Sequence, residues 1–148
     1  MAKIPELTGL YRVIDANINR VKEGLRVCEE ITRFILESKS LTDDLKKIRH
    51  GIDPLAAAFR RNPKLLSQRD SLKDVGLKIY SRSELKRVDF ADVFNANIQR
   101  VKESIRVLEE FSKLDDVKIA LGFRKIRYDI YEFEKKVAKK VSSLRNRK

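Results

Sequence analysis

The sequence predicts an all-α fold: a helical bundle of two duplicated helix pairs, related by a pseudo-twofold and joined by an ordered connector. Three observations predict it. Residues 12–34, RVIDANINRVKEGLRVCEEITRF, recur as residues 92–114, DVFNANIQRVKESIRVLEEFSKL, at a constant offset of 80 with no gap. Twelve of the 23 positions are identical, which is a duplication rather than a shared helical composition. Apolar residues in the first copy (Val13, Val21, Leu25, Val27, Cys28, Ile31, Leu36) cover one broad helical face. No segment shows the alternation of a half-buried strand, and only 5 Gly and 3 Pro leave room for few turns.

Taken in order, Thr8 reads as an N-cap and Gly9 as the start of a long helix to about Ser38. Ser40-Leu-Thr-Asp-Asp is a restart signal, with a hydroxyl cap and two carboxylates at the positive end of the next helix. That helix carries Leu45, Ile48 and Ile52. Gly51 and Pro54 predict a kink or break near Asp53, and Asn62-Pro63 predicts the stop. Periodicity fades over residues 64–83, which read as the connector, with an extended piece near Leu77–Tyr80. Ser83 or Asp89 caps the second long helix, which runs to about Lys113 and breaks at Leu114-Asp-Asp. The last helix starts near Val117. Its Lys125, Ile126, Arg127 and Ile130 match Lys47, Ile48, Arg49 and Ile52 at an offset of 78, so the second helix of the pair is duplicated too. A single domain over 1–148 follows, with repeats at about 8–60 and 84–140, a connector at about 61–83 and a basic tail at about 141–148.

The 148 residues suffice for one domain with a real core, and a hydrophobic content of 42% places the chain in the globular class. A net charge of +12 points to polyanionic partners: phosphorylated metabolites, nucleic acid or a membrane surface. Part of it is the C-terminal run, which reads as a solvated helix end. No apolar run approaches the ~20 residues of a membrane span, and the N-terminus lacks a signal pattern. A cytoplasmic protein is the expectation. Cys28, the one cysteine, sits on the apolar face and reads as a buried small hydrophobe. His50, the one histidine, rules out a multi-histidine metal site.

The informative residues interrupt the apolar arcs. At about 100° per residue, Asn17 and Arg20 fall inside the first arc, and Asn97 and Arg100 inside the second. Glu23, Glu30, Glu103 and Glu110 border them. Arg49 and Arg127 lie on the apolar sides of their helices, so four arginines are expected to point inward. Buried Arg and Asn are costly unless paired. One reading is an Arg–Glu network that locks related helices together. The other is a pair of polar pockets with Arg aimed at an anionic ligand. There is no Gly-rich phosphate loop, but carboxylates can hold Mg²⁺ with help from substrate phosphates. Such an Arg-rich, His-poor pocket suits phosphoryl transfer to a phosphate monoester, which needs positioning and cations rather than a general base.

Asp15-Ala-Asn-Ile-Asn-Arg-Val-Lys-Glu, Lys46-Lys-Ile-Arg-His, Arg69-Asp-Ser-Leu-Lys-Asp-Val-Gly and Asn95-Ala-Asn-Ile-Gln-Arg-Val-Lys-Glu together resemble a known family over about residues 8–140. It is the monofunctional hydroxymethylpyrimidine phosphate kinase of thiamine biosynthesis, an all-helical domain also found in front of some bacterial thiamine-phosphate synthases. The resemblance implies phosphorylation of 4-amino-5-hydroxymethyl-2-methylpyrimidine phosphate to its diphosphate, with ATP as co-substrate and Mg²⁺ as cofactor. On physical grounds Arg20, Arg49, Arg100 and Arg127 are assigned to phosphates and Asn17 or Asn97 to the pyrimidine edge. Arg69 becomes a connector-borne clamp on the transferring phosphate, and Arg20, Arg100, Arg69 and Asp70 the catalytic set. Glu23, Glu103, Asp70 or Asp74 lie near Mg²⁺, with Glu30 and Glu110 as further metal candidates.

Two other classes compete. One is a nucleic-acid-binding helical module, motivated by the charge; against it, the motif arginines are expected inside the arcs and no aromatic stacking platform is evident. The other is a non-catalytic, phosphate-sensing bundle with structural buried charges. The arcs are wide enough for an intramolecular core or for a helix pair swapped within a homodimer.

Overall fold

The computed structural model describes residues 4–60, 69 and 72–148. The fold is all-helical, with no strand among the described residues. Helix α1 spans Ile4–Glu30 and runs on into a π-helical turn, Ile31–Ile35. Helix α2 is Lys39–Arg60, α3 the single turn Arg82–Leu85, α4 Phe90–Ser112 and α5 Val117–Ser142. α1 packs on α4, α4 on α5, α5 on α2 and α2 back on α1, so four long helices close a ring around one core.

The periodic residues make that core. Ile14, Val21 and Leu25 of α1 are fully buried, and so are Leu45 and Ile52 of α2, Val101, Ile105 and Leu108 of α4, and Phe123 and Ile130 of α5. Each such side chain contributes about 1.5–3 kcal/mol. The buried positions 21, 24, 25, 28 and 29 of α1 recur as 101, 104, 105, 108 and 109 of α4. The duplicated sequence therefore buries the same side of each long helix. Where these helices cross, a Cβ on Gly24 would stand 2.7 Å from the Val101 Cγ2 and 3.1 Å from the Asn97 carbonyl oxygen. Glycine permits that close approach.

Several boundaries match expectation. The Asp89 carboxylate caps α4 by accepting the Asp92 N–H at 2.8 Å, and Asp116 caps α5 by accepting the Lys118 N–H at 2.9 Å. Others are corrected. Thr8 is no cap, because α1 already starts at Ile4, with Pro5 in the first turn where its missing N–H costs nothing. The α1 backbone ends at the π-helical turn rather than at Ser38, since Glu37 takes a left-handed φ of 49°. Ser38, not Ser40, caps α2: its Oγ accepts the Leu41 N–H at 3.3 Å. Pro54 does not break α2, which runs through it to Arg60. Ile52, Ala56 and Phe59 are buried around the proline, and their packing outweighs its ~3 kcal/mol penalty. The expected stop at Asn62-Pro63 lies outside the described residues. The extended piece at Leu77–Tyr80 is not formed. The Leu77 N–H donates to the Asp74 carbonyl and the Ile79 N–H to the Gly76 carbonyl, two turns with no partner strand.

The basic side chains of the C-terminal run are exposed, as expected of a solvated helix end, but the backbone of the tail is docked on the bundle. Leu144 is fully buried, the Phe90 N–H donates to the Arg147 carbonyl at 2.8 Å, and the Asn146 N–H donates to the Asp89 carboxylate at 2.9 Å. Arg145 donates to Asp92 at 2.6 Å. These bonds hold the Asp89 carboxyl below its usual range, the Asn146 and Asp92 N–H groups first and Arg145 after them.

Candidate functional site

The recurring asparagine starts the same way in both copies. Asn17 Nδ2 donates to the Val13 carbonyl at 2.8 Å, and Asn97 Nδ2 to the Val93 carbonyl at 2.8 Å. Tying the amide nitrogen back one turn fixes the side chain and leaves Oδ1 as an acceptor. In the first copy, Arg20 Nη1 lies 3.5 Å from the Asn17 Oδ1. Arg20 and Arg100 are themselves exposed, which corrects their expected inward direction. At the edge of an apolar arc a long arginine lays its stem along the helix and delivers its guanidinium to water. Burial thus no longer sets these arginines apart from a polyanion.

The connector reaches the first copy through Arg69. Its Nε donates to the Asp15 Oδ2 at 2.7 Å and its Nη2 to the Asp15 Oδ1 at 2.6 Å, a bidentate pair on a buried aspartate. That hydrogen bonding raises the Arg69 pKa further. Arg12, Asp15, Asn17, Asn19, Arg20, Arg69 and Asp74 line a cavity of about 520 Å³. Three guanidinium groups face two carboxylates there.

The second copy opens on a different chemistry. Glu23, Glu84, Arg87, Asn97, Arg100 and Glu103 line a depression of about 460 Å³, where three carboxylates face two guanidinium groups. Its Gln99 Nε2 donates to the Glu103 Oε1 at 3.2 Å. Glu23, from α1, thus lines the depression of Asn97 and Arg100 and not the Asn17 cavity.

Arg49 and Arg127 do not join either cavity. Arg49 donates through Nε and Nη2 to Glu29 at 2.9 and 3.3 Å, and Arg127 through Nε and Nη2 to Glu109 at 2.7 and 3.3 Å. The four arginines therefore do not converge on one core. The carboxylates that balance this pair are Glu29 and Glu109, buried in the helix interfaces, not the bordering Glu23, Glu30, Glu103 and Glu110. Burial pushes the Glu109 carboxyl up, but its hydrogen bond and charge pairing with Arg127 outweigh this and hold it below the usual range.

The remaining candidates are dispersed. Asp70 lies outside the described residues. Glu30 faces Arg26 at 3.9 Å, and Glu110 faces Arg106 at 3.1 Å and Lys113 at 2.8 Å; neither lines the Asn17 or the Asn97 cavity. Among the described residues no three His, Cys, Asp or Glu side chains gather as a metal site. Asp74 does line the Asn17 cavity, with its Oδ1 accepting the Gly76 N–H at 2.8 Å. Both Asp15 oxygens are taken by Arg69. One protein carboxylate plus phosphate oxygens is a donor set that Mg²⁺ accepts, so Asp74 fits a substrate-carried metal. His50 is exposed on α2 and lines neither cavity, and Cys28 is buried with burial raising its thiol pKa. A further cavity of about 650 Å³ lies apart from the Asn–Arg motifs, between α2 and α5. Its lysines and carboxylates balance.

Arg12 and Asp15 were not among the expected site residues. Their signal was a difference between the copies: Arg12 becomes Asp92 and Asp15 becomes Asn95. The second copy uses Asp92 to hold the tail, and the first uses Asp15 to hold the connector.

No described helix is long and apolar enough to cross a membrane. The family model described as the ThiD2 family matches residues 12–136. A thiamine-phosphate synthase of Synechocystis sp. is 37% identical over 127 residues, which are 86% of this chain and 36% of that protein. One from Rhodopirellula baltica is 40% identical over 140 residues, 93% of this chain and 36% of its own. One from Nostoc punctiforme is 38% identical over 125 residues, 84% and 34% respectively. The chain thus spans about a third of the length of these relatives. No solved structure matches it significantly.

Proposed function

The chain belongs to the ThiD2 family, and from that premise we propose that it transfers a phosphoryl group from ATP to 4-amino-5-hydroxymethyl-2-methylpyrimidine phosphate, forming the diphosphate. The relatives are thiamine-biosynthetic enzymes, and this product is a thiamine precursor. One observation carries the reading: Arg12, Arg20 and Arg69 surround Asn17 in a single cavity whose lining has more cations than carboxylates.

The acceptor phosphate monoester is already ionised near neutral pH, so no general base is required. The only histidine, His50, is outside this cavity, as such chemistry allows. Arg12 and Arg20 receive the acceptor phosphate. Arg69, fixed by Asp15, is held ready for the transferring group rather than free to wander. The Asn17 Oδ1 accepts from the exocyclic amine of the pyrimidine. Asp74 would hold Mg²⁺ together with the substrate phosphates, and the ion would supply positive charge to offset that of the transferring group. The carboxylate-rich Asn97 depression is poorly suited to a bare phosphate.

The test is a purified-protein assay with ATP, Mg²⁺ and the pyrimidine phosphate, with the unphosphorylated pyrimidine run beside it. The reading requires diphosphate from the monophosphate and none from the alcohol. Folded protein that forms no diphosphate refutes it and leaves a phosphate-sensing bundle.

A further inference from the structure

We propose that the outer face of α5 is the interface of a homodimer, in which α5 pairs antiparallel with α5 of a second copy of this chain. Val117, Leu121, Arg124, Tyr128 and Tyr131 follow each other at spacings of four, three, four and three, the seam of a two-helix coil. All four apolar or aromatic members are exposed: Val117 61%, Leu121 57%, Tyr128 50% and Tyr131 39%. The fold does not need this stripe. At the offset of 78 that relates the helices, α2 carries Lys39, Asp43, Lys46, His50 and Asp53. The same helix position is polar in one repeat and apolar in the other.

The stripe is also prepared for an interface. Tyr128 and Tyr131 meet edge to face at 5.8 Å, and Arg124 and Arg127 lie over the Tyr128 ring at 5.7 and 5.1 Å. Tyrosine and arginine held this way lose little freedom on association, and both are enriched at interface centres. Leu114, 75% exposed, continues the patch beyond the start of α5.

Charge complementarity selects a second copy as the occupant. Lys118 and Glu132 flank the stripe, are exposed, and make no ion pair within the described residues. They stand 14 positions apart, about 21 Å along the helix. An antiparallel partner with its twofold near Arg124–Lys125 brings Lys118 against the partner's Glu132, and Glu132 against the partner's Lys118. The same register sets Leu121 on Tyr128 and Val117 on Tyr131. It also brings the two Arg124 side chains together at the axis, a local cost that their stacking on Tyr128 reduces.

Sedimentation equilibrium of the full chain at tens of micromolar tests this. The expected mass is twice the 17.3 kDa of one chain. Leu121→Glu and Tyr128→Glu, both at exposed positions, weaken the dimer at least about a hundredfold by burying carboxylates, with unchanged circular dichroism. Lys118→Glu or Glu132→Lys alone weakens it, and the two together restore it. Arg124→Leu tightens it. A monomeric native chain overturns the proposal, and so does a dimer indifferent to Leu121→Glu and Tyr128→Glu. Failure of the double reversal to recover overturns the antiparallel pairing.

Discussion

Arg127 grips the buried Glu109 with two hydrogen bonds, at 2.7 and 3.3 Å, just as Arg49 grips the buried Glu29 at 2.9 and 3.3 Å. The chain thus binds its second helix to its first, and its fifth to its fourth, with the same clamp. Removing Arg127 leaves the buried Glu109 with only the longer Arg106 contact, at 3.4 Å. Arg127→Ala is expected to lower unfolding stability by about 1–3 kcal/mol. Glu109→Leu combined with Arg127→Met is expected to recover most of that, because an apolar pair carries no desolvation cost. Urea denaturation of the three proteins checks both.

The same clamp sets an acid limit. The folded Glu109 carboxyl lies below its unfolded value, so its stabilisation is complete above the unfolded pKa and is lost as pH falls through the folded one. Asp89, lowered by the Asn146 and Asp92 N–H groups, acts in the same direction. Stability measured by denaturation should be flat near neutrality and fall below pH ~4. The Glu109→Gln variant should lose part of that dependence.

Ser112 tests the core from the opposite side. It is fully buried, and its Oγ is without a hydrogen-bond partner among the described residues, whereas Thr32, its counterpart in the first copy, lies 3.0 Å from the Thr42 hydroxyl. Ser112→Ala is expected to stabilise by about 1 kcal/mol and Thr32→Ala to destabilise. Thermal melts of the two variants separate the cases.

Gly24 is the contact point of α1 and α4. Gly24→Leu places atoms where Val101 and the Asn97 carbonyl already stand, at a cost of about 1–3 kcal/mol or more. Retained stability in that variant would contradict the helix crossing described.

Sequence periodicity located the long helices, because a bundle's burial follows the same 3.6-residue period as its apolar residues. It allowed a break at Pro54 that does not occur, since local propensity cannot weigh the buried neighbours that carry α2 past it. It read the repeats by their identities and so found Asn17, Arg20, Asn97 and Arg100. Arg12 and Asp15 escaped because the copies differ there, and that difference marks where one copy meets the connector and the other the tail. Glu29 and Glu109 escaped because a glutamate beside a second glutamate looks like solvated surface. Only the neighbouring helix reveals which of the two turns inward.

The central claim is that the pyrimidine phosphate binds beside Asn17 and Arg20 and not beside Asn97 and Arg100. Titration calorimetry of that ligand into the native chain, Arg20→Ala and Arg100→Ala tests it most directly. Loss of one charge-assisted phosphate contact should weaken binding at least about tenfold in Arg20→Ala, with Arg100→Ala near native and both variants as stable as the native chain. Equal losses in the two variants, or a loss confined to Arg100→Ala, would contradict the account.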